Sequence, residues 1–134
     1  MRDAYAHITA RPTLAVTART ATANGTSVDR AGGGALYQDA AIVVHTGTIT
    51  DGTHAIDVQE SDDNSTWNSV PADQLQGSKP SIVAADDDKL FVIGYKGIKR
   101  YLRAVATVSS ATTGGTYGAV VLLGNPRVAP VVHA

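Results

Sequence analysis

The chain has 134 residues, no cysteine and a net charge of −1. That length holds one domain. The missing thiols exclude disulfides, thiolate metal sites and cysteine nucleophiles, and the charge balance implies neither a nucleic-acid carpet nor an acidic tail. No run approaches the roughly 18 apolar residues of a membrane span, and residues 1–8 lack the apolar stretch of a secretory signal. The apolar residues are of the strand-forming kind. There are 15 Val, 15 Thr and 7 Ile against 7 Leu, 4 Lys and 1 Glu. Branched side chains fit a pleated surface and lose rotamer freedom in a helix. The 21 Ala favour helix but mostly sit beside Thr or Val, outside amphipathic blocks. An all-β domain is expected.

Residues 1–12 show no period and end in Arg11-Pro12, which predicts an N-terminal arm. Residues 13–19 alternate, with Leu14, Val16 and Ala18 on one predicted face. Asn24-Gly25 signals a hairpin to a returning strand over 26–30. Gly32, Gly33 and Gly34 then form a loop, since three glycines lose the most entropy on ordering. Ile42, Val43 and Val44 mark a buried strand. Asp51-Gly52 signals a second hairpin, joining a strand that ends near Ile49 to one over 55–60. There Ile56 and Val58 face in while Asp57 and Gln59 face out.

A polar turn follows at 61–65, and a strand over 66–70 returns with Trp67 anchoring one face. Residues 71–80 are irregular, with a helical turn predicted at 72–75. A short strand over 81–84 precedes the solvated turn Asp86-Asp87-Asp88. Strands are expected over 90–95 and 100–108, with Gly97 between them. Residues 117–123 are apolar on both faces, which predicts a central or partner-covered strand. Asn125-Pro126 ends it, and 125–134 read as a C-terminal arm. The domain organisation is therefore arm 1–12, sandwich 13–124 and arm 125–134. Eight or nine short strands suit a β-sandwich, jelly roll or small barrel.

The stretch 60–67 is the most distinctive. Asp62, Asn64 and Thr66 have the spacing of the first calcium ligands of an EF-hand, with Asp73 at the twelfth position. Trp67 stands where that loop needs glycine, and strands flank it where helices belong. The Ser-x-Asp hairpin box of sialidase-like propellers is a second match, with Trp67 one residue early. The plainer reading is an Asx turn with a tryptophan cap over the core.

His7, His45, His54 and His133 have no metal-ligand spacing. No Gly-x-Ser-x-Gly elbow or phosphate loop occurs. No catalytic, cofactor-binding or metal-binding residue is assigned, and the chain is not expected to be an enzyme. Lys96, Lys99, Arg100 and Arg103 form a basic cluster interleaved with Tyr95 and Tyr101. It reads as a nucleic-acid platform, a protein interface or a solvated sheet face, and Arg with Tyr on one strand face favours the interface over the platform.

Four segments carry a family resemblance. They are 49–67, then 93–105 (Ile-Gly-Tyr-Lys-Gly-Ile-Lys-Arg-Tyr-Leu-Arg-Ala-Val), Thr112-Thr-Gly-Gly, and Leu123-Gly-Asn-Pro-Arg with Ala129-Pro-Val. Their order and spacing resemble small virion proteins of tailed bacteriophages, the capsid cement or decoration proteins, over residues 36–132. The resemblance implies a jelly-roll-like antiparallel β-sandwich with extended terminal arms. It also implies binding to the outside of an assembled capsid, assembly in the bacterial host cytoplasm, and no cofactor.

The expected partners are the major capsid protein and further copies of the chain, as a dimer or trimer on the capsid, with no nucleic acid or membrane. The interface residues expected are Tyr5, Ile8, Lys99, Tyr101, Arg103, Arg127, Val128, Val131 and Val132. Rival readings are a head–tail connector or tail component of the same virion, and a carbohydrate-binding β-sandwich using Trp67 and tyrosines.

Overall fold

A computed structural model describes residues 3–34 and 36–131. A short helix α1 (Ala4–His7) leads into strand β1 (Ile8–Arg19). Then follow β2 (Ala23–Asn24), β3 (Val28–Asp29), β4 (Tyr37–Ile49), β5 (Thr53–Ser61) and β6 (Asn68–Ser69). The chain continues through β7 (Leu75–Gln76), β8 (Ser81–Ile82), β9 (Leu90–Tyr95), β10 (Tyr101–Ser109) and β11 (Gly115–Pro126). No helix among the described residues is long and apolar enough to cross a membrane.

Two antiparallel sheets face each other. One has the order β1-β11-β4-β9-β7, and the other runs β2-β10-β5-β6. β3 extends the β2 edge along β10, and β8 extends the β6 edge along β5. Counted with those interruptions closed, and with β7 as an added edge, the chain has eight strands in the orders 1-8-3-6 and 2-7-4-5. Each pair is what one long hairpin gives when it is rolled up, so the sandwich is a jelly roll. Alternation supplies the core: Ile42 and Val44, Ile56 and Val58, Leu102 and Ala104, and Val121 and Leu123 all point between the sheets.

Both hairpin signals misled. Ile49 ends β4 in one sheet and Thr53 begins β5 in the other, so Asp51-Gly52 turns an arch between sheets. The Asp51 carboxylate accepts the backbone N–H groups of Gly114, Thr113 and Thr112, tying that arch to the loop before β11. Those donors, Gly114 first, hold its carboxyl below the usual range. Gly114 has φ +79°, and a side chain there would collide with the Arg19 carbonyl.

Asn24-Gly25 lies in an extended edge. Asn24 pairs with Val105, and the Gly25 N–H donates to the Ala104 carbonyl. Thr13 of β1 reaches across from the other sheet at this point. Its Oγ1 accepts the Ala104 N–H at 3.0 Å and donates to the Thr26 carbonyl at 2.8 Å. A side chain thus fills the gap between β2 and β3.

The arms are shorter than expected. Residues 8–12 pair with β11, Ile8 opposite Gly124 and Pro12 opposite Val120. β1 is an edge strand, where a missing proline N–H removes no ladder bond. Register shifts after Pro12 and Leu14 then break the predicted alternation: Leu14 is buried while Val16 is exposed. At the other end, β11 runs through Pro126, and Val131 turns back into the core and donates its N–H to the Ala6 carbonyl. Among the described residues, 8–12 thus lie in β1, and the two ends of the described chain meet where Val131 bonds to Ala6.

Candidate functional site

The outward faces of the two sheets differ sharply. On the β10-β5-β6 sheet polar, paired side chains share the outer face with Val105 and Ala55. Asp57 accepts from Lys79 and from Ser69, and Arg103 Nε donates to Gln59 Oε1 at 2.8 Å. Trp67 belongs to this layer and not to the core. Ser69 pairs with the outward Gln59, and alternation puts Trp67 on the same side as Ser69. The Arg103 guanidinium lies 4.4 Å from the Trp67 ring centroid, and the indole is half-buried.

The other outer face is apolar across four strands. One row runs Pro12, Val120, Val43, Val92. The next runs Ala10, Leu122, Ala41, Gly94. A third begins with Val16 beside Gly118 and continues through His45 to Leu90. No Asp, Glu, Lys or Arg stands in these rows, and His45 is their one titratable side chain. Val92 is 62% exposed, Leu90 63% and Val16 76%. Strand spacing and rise give the face on the order of 400 Å² in projection, within the ~300–600 Å² of the largest patch on a typical monomer, which is often functional. The two-sided apolar pattern of 117–123 is accounted for here: β11 is central, with its odd positions in the core and its even positions on this face.

At one end of the sandwich lies a cleft of about 550 Å³. The starts of β4 and β10 and the ends of β9 and β11 border it. Arg30, Lys96, Lys99, Arg100 and Arg127 line it. Arg30 is structural: Nη1 donates to the Lys99 carbonyl at 2.8 Å, Nη2 donates to the Gln38 carbonyl at 2.8 Å, and the guanidinium lies over Tyr95. Arg100 forms a two-pronged pair with Asp29, and Lys99 pairs with Asp62 at 2.6 Å.

The basic cluster read from the sequence is thus divided. Lys99 and Arg127 are in the cleft, joined there by Arg30, which no periodicity or motif had marked. Arg103 is on the outer sheet face, and so is Tyr101, beneath the Arg100 guanidinium. Of the remaining expected interface residues, Tyr5 is 76% exposed, Val128 is exposed, and Ile8 lines a small groove with Leu122 and Asn125. Val131 is buried in the core of the single chain. Val132 lies outside the described residues. Val92, Leu90 and Val43 bear no motif, and the alternation of their strands places them on the outward face.

The carboxylates at 60–67 are engaged within the chain. Asp63 accepts from the Ser65 and Thr66 N–H groups and from Ser61, and Asp62 pairs with Lys99. This is the Asx turn. Among the described residues no group of three or more His, Cys, Asp or Glu is placed to hold a metal ion. The buried His54 hydrogen-bonds through Nε2 to the Asp51 carbonyl at 3.0 Å and through Nδ1 to Tyr117 Oη at 2.9 Å. A carbonyl only accepts, so Nε2 is the donor in that bond. His54 therefore serves as a tie between the sheets. Neither a scan against protein-family models nor a search of curated proteins yields a match.

Proposed function

We propose that the chain is a structural virion protein that attaches to the outside of an assembled phage capsid and cements neighbouring major capsid subunits. The observation that carries this reading is the largely apolar outer face of β1, β11, β4 and β9. A solvent-facing sheet layer is ordinarily polar on a free-standing sandwich, as the opposite layer largely is here. Two further points support it. The buried Thr13 and His54 described above tie the two sheets together, as a stiff structural domain requires. The four segments that resemble phage cement proteins lie on the jelly roll such proteins are associated with.

Cementing acts by mass action. A protein that binds the closed lattice and not the free subunit adds its binding free energy to the assembled state alone. Many copies on one lattice turn modest site affinity into firm attachment. A head–tail connector is separated from this by copy number, since a closed ring holds about a dozen subunits and a lattice holds hundreds. The sugar-binding alternative loses ground because Arg103 occupies one face of the single tryptophan.

The test is co-sedimentation with undecorated shells of the virus that encodes the chain, with the bound copies counted. Saturation at hundreds per shell supports cementing. Binding of about a dozen, or to tails alone, transfers the protein to the connector or tail.

A further inference from the structure

The basic cleft at the end of the sandwich has no role in the apolar-face contact. We propose that it is a docking site for an acidic polypeptide segment carrying an apolar side chain, supplied by the partner. This rests on the reading of the chain as an attachment protein and adds the chemistry of a second contact.

Charge is the first argument. The chain carries 11 Lys and Arg, and five of them line this one cleft. Asp29 and Asp62 neutralise Arg100 and Lys99. Arg30 is held by carbonyl groups. Lys96 and Arg127 make no ion pair among the described residues. An excess of positive charge thus faces solvent at one end of a molecule whose net charge is −1. Carboxylates are the complementary partners.

Rigidity is the second. The 96–100 loop is fastened at three points. Lys96 N–H donates to the Gln74 carbonyl at 2.8 Å, Lys99 N–H donates to Tyr95 Oη at 3.1 Å, and Arg30 holds the Lys99 carbonyl. Gly97 lies against the Tyr95 hydroxyl so closely that a side chain there would collide with it. This fastened loop nevertheless presents Ile98 at 91% exposure, with Leu36 also exposed on the lining. An apolar tip already ordered loses little entropy when it is covered. Lys96 and Arg127 can each take a carboxylate while Ile98 and Leu36 cover the apolar side chain between them.

Single-stranded nucleic acid fits less well. Its binding grooves rely on exposed aromatic faces for base stacking. Here Tyr37 and Tyr95 are buried, and Arg30 covers the Tyr95 ring.

Fluorescence anisotropy on the full chain tests this, with a short labelled peptide of aspartate, glutamate and leucine as the probe. An all-lysine peptide and an oligothymidylate of equal length are the other arms. The acidic peptide should bind at low salt and weaken as salt rises. Lys96→Glu with Arg127→Glu should weaken it by about tenfold or more. Ile98→Ser should weaken it at every salt concentration while leaving the salt dependence unchanged. All three positions are exposed or at the cleft rim, so circular dichroism and melting should match the parent. Absence of acidic-peptide binding, equal binding by the charge-reversed variant, or tighter binding of oligothymidylate overturns the proposal. Shells play no part in this assay, so its failure leaves the sheet-face reading standing, and failed shell attachment leaves the cleft standing.

Discussion

Tyr95 Oη donates a 2.7 Å hydrogen bond to Glu60 Oε1, joining β9 of one sheet to β5 of the other. Glu60 is the only glutamate in the chain and is buried. The same hydroxyl accepts the Lys99 N–H. Tyr95→Phe leaves both groups without their partner, and a buried unsatisfied group costs about 1–3 kcal/mol. Urea unfolding of the variant at neutral pH should show that loss, and Glu60→Gln in the Tyr95→Phe background should recover part of it.

This tie also makes stability depend on alkaline pH. Burial, with the Glu60 hydrogen bond, raises the Tyr95 hydroxyl far above its usual value, and burial raises Tyr117 as well. The unfolded chain releases these protons near pH ~10 while the folded chain keeps them. The stability they give is therefore complete below pH ~10 and falls as pH rises beyond it. Urea midpoints taken from neutral pH upward should fall above that point, and Tyr95→Phe should flatten the fall.

Thr13 Oγ1 stands in the gap of the edge formed by β2 and β3. Thr13→Val keeps the shape and leaves the Ala104 N–H without an acceptor, so stability should drop by about 1–3 kcal/mol. Thr17→Val, on an exposed position of the same strand, should change it by less than about 0.5 kcal/mol. Equal effects at the two positions would remove the role assigned to the Thr13 hydroxyl.

The strands were legible in the sequence where alternation is strict. Ile56 and Val58 inward with Asp57 and Gln59 outward is what β5 displays. The connections were not legible. Asp51-Gly52 has the composition of a two-residue hairpin, but Asp51 is engaged with Gly114 some sixty residues away in sequence, and only that long-range contact makes the turn an arch. Pro12 reads as a strand breaker until the strand is known to be an edge. The apolar face was half legible: 117–123 was marked as apolar on both sides, but its neighbours Val43 and Val92 join it only through sheet order. Arg30 gave no signal, because its partners are carbonyl groups, which every residue has.

Trp67 is a surface reporter. Lying under Arg103 and outside the core, Trp67→Ala should destabilise by less than the ~3–5 kcal/mol of a core aromatic. It is the only tryptophan, so its fluorescence is unambiguous. Arg103→Ala should uncover the indole and shift its emission to longer wavelength with little change in melting temperature. An emission maximum that does not move would mean the guanidinium does not cover the ring in solution.

Attachment of Val92→Glu to undecorated shells tests the central claim most directly. Val92 is 62% exposed at the β9 end of the middle apolar row, so a carboxylate there meets water in the free protein and disturbs the fold little. In a covered interface the same carboxylate is desolvated without a partner, and such a group is costly to bury. The account predicts an unchanged melting temperature and loss of co-sedimentation with shells that the parent chain decorates. Decoration by Val92→Glu at the parent's level would contradict it.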